Sequence, residues 1–176
     1  MNERTDNNTG IHKTRALVLT SLFFAMALIL TVVENSLPAL PLPVPGVKFG
    51  LSNIVVMYAL FFLKKSQAFS IAVLKGIFVI MTRGLIAGIL SLSGGILSLT
   101  VMILLMTVTG KKASYMLESI SGAVAHNLGQ FTAISFIYTG MYLWAYLPVL
   151  LVSGAAAGIV TATLLRFIIP AFKRLA

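Results

Sequence analysis

The sequence predicts an all-α integral membrane protein: a compact bundle of six transmembrane helices with both termini cytoplasmic. Three observations carry that prediction. Of the 176 residues, 59% are hydrophobic and 10% charged, where a soluble domain carries about 25% charged residues. Mean hydropathy is +1.01, and six apolar segments recur at about 16–34, 49–63, 67–90, 95–109, 119–139 and 143–169. Basic residues stand at every second junction between those segments.

Each element follows in order. Residues 1–12 (MNERTDNNTGIH) are polar and read as a flexible cytoplasmic tail ahead of one six-helix domain over 13–176. The tail lacks the charged, apolar and cleavage-site order of a signal peptide, so the first span is expected to be retained. A helix needs about 20 residues to cross the hydrocarbon core. The second and fourth runs hold only about 15 strictly apolar residues, so each borrows from its flanks or crosses a thinner site. A five-span arrangement with a re-entrant second segment is the alternative. Lys13 and Arg15 precede span 1, Lys64 and Lys65 separate spans 2 and 3, Lys111 and Lys112 separate spans 4 and 5, and Lys173 and Arg174 follow span 6. The alternate junctions (35–48, 88–95, 139–146) hold only Lys48. The positive-inside rule therefore sets both termini in the cytoplasm. Met141 to Tyr146, with Tyr142, Trp144 and Tyr146, then falls at the outer interface, where amphipathic rings prefer to sit.

Composition also excludes chemistry. The only carboxylates are Glu3, Asp6, Glu34 and Glu118, and there is no cysteine. Paired-carboxylate hydrolysis, Asp-rich magnesium sites, thiolate zinc and iron–sulfur clusters have no ligands here. No Walker lysine loop, nucleophile elbow or His-Glu metal helix is present. No cofactor, no metal and no catalytic residue is expected. The net charge of +9 consists mostly of topology signals joined by contact with anionic headgroups, so the bilayer is the expected partner and nucleic acid is not.

Several residues remain that could carry a function. The segment 35–48 contains Pro38, Pro41, Pro43 and Pro45, which make it stiff and non-helical. It reads either as a connector lying on the bundle or as a lid over an outward-opening cavity. Lys75 and Arg83 lie in span 3, and a charge at the bilayer centre costs roughly 2.5–3.5 kcal/mol on insertion scales, so neither should face lipid. Eight residues at 100° leave them about 80° apart on one broad face. With Lys48 they set three positive groups against Glu34, which favours a carboxylate or phosphate ligand. The alternative is a Glu34–Arg83 pair with Lys75 reaching towards the cytoplasmic interface. In span 5, His126 and Gln130 are four apart and Asn127 and Gln130 three apart. They read either as polar contacts between helices or as a ligand-lining cluster. Asn53 starts span 2 beside Gly46, Lys48 and Gly50. Ser91, Ser93, Gly94, Gly95 and Ser98 are read as the opening of span 4. Ala16, Ser21 and Ala25 on span 1, and Gly154, Ala155, Ala157 and Gly158 on span 6, offer small faces for another helix.

Four blocks together resemble a known family. They are Val44-Pro-Gly-Val-Lys-Phe-Gly-Leu-Ser-Asn53, Arg83-Gly-Leu, Ser91-Leu-Ser-Gly-Gly95, and Gly122-Ala-Val-Ala-His-Asn-Leu-Gly-Gln130. Over about residues 15–170 the chain is similar to the Gx transporter family, also labelled heptaprenyl diphosphate synthase component I. That family in turn resembles the substrate-binding S components of energy-coupling factor (ECF) transporters. Those are multi-pass proteins of the cell membrane that capture vitamins or precursors and dock on a shared ATPase module. The resemblance implies a ligand site at Lys48, Asn53, Arg83, His126, Asn127 and Gln130, and a docking surface at Ala16, Ser21 and Ala25. It implies capture of a small anionic or amphipathic molecule for uptake. The synthase label offers an alternative, a non-catalytic membrane subunit associated with isoprenoid or quinone metabolism. A prenyl-elongating activity is not expected, since such enzymes hold magnesium diphosphate with clustered aspartates and the one aspartate here is Asp6.

Overall fold

The computed structural model describes residues 3–36, 50–110, 114–138 and 143–172. Those residues form six α-helices: α1 Glu3–Ser36, α2 Leu51–Phe62, α3 Lys65–Arg83, α4 Leu85–Thr109, α5 Tyr115–Ile137 and α6 Leu147–Phe172, the last preceded by a 3₁₀ turn Leu143–Tyr146. Lys48 and most of the proline-rich segment lie outside the described residues, as do Met141, Tyr142 and the basic residues Lys111, Lys112, Lys173 and Arg174. The backbone of α1 is helical from Glu3, within the stretch read as a tail, and its apolar part is Lys13–Ser36. Among the described residues, four helices are long and apolar enough to cross a membrane: the Lys13–Ser36 part of α1, α3, α4 and Trp144–Pro170. In α5, His126, Asn127, Gln130 and Glu118 dilute an otherwise apolar sequence.

Short α2 is the core of the bundle. Its 12 residues extend about 18 Å at 1.5 Å per residue, less than the roughly 30 Å of a hydrocarbon core. Ile54 to Leu60 are all buried, as a helix apolar all round requires. Tyr58 is fully buried, with Phe23 of α1 at 5.0 Å and Phe62 at 4.7 Å between ring centroids. At the other end of this stack Phe61 meets Tyr115 of α5 edge-on at 4.9 Å. Helix α2 packs on α1, α3 and α6, while α3, α4, α5 and α6 pack in chain order.

The sequence misplaces one boundary. An outer junction is expected at 88–95, yet α3 ends at Arg83, Gly84 alone makes the turn, and α4 runs from Leu85 for 25 residues. Gly84 has φ 89° and ψ 171°, a conformation reserved for glycine. Its N–H caps Ile80 and its carbonyl accepts from Gly88 N–H at 3.1 Å. Apolar residues follow Gly84 at once, and Arg83 beside it reads as a charge within span 3 rather than as its end, which conceals this turn from hydropathy. Ser91, Ser93, Gly94 and Gly95 are therefore interior to α4 and do not open a short span.

The glycines set how closely the helices pack. A Cβ on Gly88 would sit 2.0 Å from Ile80 Cγ1, and one on Gly76 2.3 Å from Leu92 Cδ2, so α3 and α4 form a tight hairpin. A Cβ on Gly129 would meet Ser93 O at 2.7 Å, and one on Gly158 would meet Ile120 Cα at 2.6 Å. The small face of α6 is thus occupied by α5 inside the bundle, as small residues at helix crossings allow.

Candidate functional site

The site begins with how α2 starts. Gly50, at φ 72°, leads into the helix, and the backbone N–H of Leu51 donates to Glu34 Oε1 at 3.4 Å. Gly50 N–H donates to the same oxygen at closer range. The carboxylate of α1 thereby meets the positive end of α2, where an anion is favoured. Arg83 is exposed at the end of α3, and its Nη1 donates to Asn35 Oδ1 at 3.2 Å. No ion pair joins Glu34 to Arg83 among the described residues, so the alternative of a Glu34–Arg83 pair is not the arrangement found. Glu34 lies 16 and 17 positions from its partners Gly50 and Leu51, and the proline-rich segment between them gives no local pattern to read.

Lys75 does not reach for the cytoplasmic interface. It is 5% exposed, and its Nζ donates to Asn53 Oδ1 at 2.8 Å and Ser52 Oγ at 3.2 Å, both on the first turn of α2. The ammonium therefore lies inside the bundle. On α5, the Gln130 amide nitrogen lies 3.1 Å from His126 Nε2; with the amide donating, that imidazole nitrogen accepts. Asn127 Nδ2 donates across to Leu150 O of α6 at 2.8 Å. Asn127 is thus a contact between helices, whereas His126 and Gln130 bond within their own helix.

These side chains surround one cavity of about 470 Å³, to which all six helices contribute. Its wall includes Asn53, Arg83, His126, Asn127 and Gln130, five of the six residues singled out from sequence; the sixth, Lys48, lies outside the described residues. Lys75, Glu34, Ser52, Thr31 and Thr161 also line it. The charge on Lys75 was visible in the sequence, but the hydroxyls were not, since buried Ser and Thr usually bond their own helix, as Thr31 does to Ala27 O at 2.8 Å. Val79, Ala87, Leu90 and Ile134 supply apolar wall. Pockets for small organic ligands are typically about 300–1,000 Å³, mostly apolar with a few placed polar groups.

The residues singled out on α1 do not share one face. Ala16 is half-buried and its carbonyl accepts from Gln67 Nε2 of α3 at 2.9 Å, whereas Ser21 and Ala25 are exposed beside Leu17, Val18 and Leu22. Among the described residues no group of three or more His, Asp or Glu is placed to hold a metal ion.

A family model, heptaprenyl diphosphate synthase component I, matches residues 23–168. The chain belongs to that family. The matched stretch of this component I protein runs from α1 through most of α6 and so takes in every cavity-lining helix. No curated protein and no solved structure matches the chain significantly.

Proposed function

We propose that this component I protein is the substrate-capture subunit of an uptake system in the cell membrane, akin in role to the S components of ECF transporters. A small anionic or amphipathic molecule enters from outside and is held by Asn53, Arg83, His126, Asn127 and Gln130, with Lys48 joining from the preceding segment. Rearrangement against an energising partner then delivers it inward. The chain carries no nucleotide-binding motif of its own, so the energy comes from that partner or from a coupled ion. Ser21 and Ala25, on the exposed face of α1, are the contact offered to it. The observation that carries the reading is a cavity of ligand size lined by polar and basic side chains from all six helices. An apolar bundle needing only to span a bilayer would fill that space with side chains.

The family description favours a second reading, a non-catalytic membrane subunit of heptaprenyl diphosphate metabolism. Purification from native membranes in mild detergent separates the two. Co-purification of an energising ATPase or reconstituted uptake supports capture, and Arg83→Ala should weaken ligand affinity by more than about tenfold. A prenyl synthase recovered with no small molecule supports the second reading and overturns the first.

A further inference from the structure

The three groups of α3 that line the cavity are Lys75, Val79 and Arg83, spaced four apart on one face. At 1.5 Å per residue, positions 75 and 83 stand about 12 Å apart along the axis. They differ in depth, since Lys75 is 5% exposed and Arg83 is exposed at the helix end. Between them on α3 stands Val79, and Ala87 and Leu90 of α4 add apolar wall to the same cavity. The described lining residues include one carboxylate, Glu34, and its charge is met by two N–H groups at the start of α2. The interior is therefore cationic at both ends of an apolar strip.

Resting on the capture reading, we infer that the cavity is a two-station path for a small organic anion with an apolar body. Arg83 receives its carboxylate or phosphate at the exposed end, and Lys75 retains that group inside. A charge at the rim acts mainly on association and its salt dependence, whereas a buried charge contact acts on dissociation. Arg83 thus sets how fast the anion enters and Lys75 how long it stays. On the inner station the Nζ of Lys75 exchanges a hydrogen bond from Asn53 Oδ1 or Ser52 Oγ to the anion. The apolar body then lies along Val79, Ala87 and Leu90.

The test uses the full chain in phosphatidylcholine nanodiscs, with unfolding followed by the fluorescence of Trp144. The probes are benzoate, phenyl phosphate and the neutral benzyl alcohol at matched ionic strength. At least one anion should raise the unfolding temperature by about 2–4 °C at saturation, and benzyl alcohol should not. Whichever anion acts distinguishes a carboxylate from a phosphate ligand. Lys75→Gln should abolish the shift. Arg83→Gln should keep it at saturation while slowing association about tenfold and flattening its salt dependence. Should Lys75→Gln fail to fold, Asn53→Asp sets a carboxylate at the position of Asn53 Oδ1, keeps the lysine satisfied and should abolish the shift equally. Stabilisation by neither anion, equal stabilisation by benzyl alcohol, or an anion shift that survives Asn53→Asp overturns the inference. Anion binding without uptake would leave the two stations standing and sink the capture reading; uptake of a neutral molecule would do the reverse.

Discussion

Two buried charges of opposite sign meet different fates in this bundle. Lys75 is anchored to Asn53 and Ser52 inside the cavity. Glu118, in the first turn of α5, is fully buried, and neither carboxylate oxygen has a hydrogen-bond partner among the described residues. A buried polar group without a partner costs about 1–3 kcal/mol in desolvation. Glu118→Leu is therefore expected to raise stability by about that amount, measured by denaturant unfolding in detergent; a fall would show that the carboxylate contributes to stability where it stands. At this scale the sequence is half legible. A lone Lys75 among apolar residues announces that it faces inward, because lipid cannot accept it. Its partners Asn53 and Ser52 lie more than 20 positions away, and no spacing rule connects them. Glu34 is the harder case, since either of two roles fits its place in the chain and only the geometry of Gly50 decides between them.

Among the helices, glycine does two separate jobs, and substitution distinguishes them. At Gly84 no atom of the described residues beyond its chain neighbours lies within 4 Å of an added Cβ, so Gly84→Ala acts through backbone conformation. It should cost about 1–3 kcal/mol. At Gly129 an added Cβ would press on Ser93 O at 2.7 Å and Gly94 Cα at 2.9 Å, both backbone atoms that cannot swing aside. Gly129→Ala should cost a similar amount, about 1–3 kcal/mol, but it also forces α4 from α5 along the cavity wall. Thermal unfolding of both variants, with ligand added, checks this: Gly84→Ala should retain ligand stabilisation and Gly129→Ala should lose it. Equal retention would show that the α4–α5 spacing does not shape the site. Six helices were readable because each apolar run is bounded by charge, proline or polar residues. The turn at Gly84 was not, because a single residue reverses the chain and the charge beside it, Arg83, reads as lying within a span rather than ending one.

Over the whole molecule, the arrangement follows from one helix that is too short. Because α2 covers only about 18 Å, its polar first turn, with Ser52 and Asn53, is left inside the bundle beside Glu34 and Lys75. The other helices close around it, and space remains that side chains do not fill. The shortness of the second apolar run was visible in the sequence; that it leaves a cavity was not, since a short run fits a re-entrant segment or a thinned bilayer equally well. The six apolar segments of the sequence and the placement of Lys and Arg between them predict both termini in the cytoplasm. Epitope tags at either end should be reachable only after the membrane is permeabilised, and a tag accessible on intact cells would reverse the direction of the path from Arg83 to Lys75. The claim on which everything else depends is that the cavity holds a small anion. Native mass spectrometry of the full chain released from mild detergent tests it most directly. The account predicts an adduct of one defined mass that behaves as an anion, is lost in Lys75→Gln and is lowered in occupancy, but not lost, in Arg83→Ala. A clean unliganded chain, or an adduct that both variants retain, would contradict it.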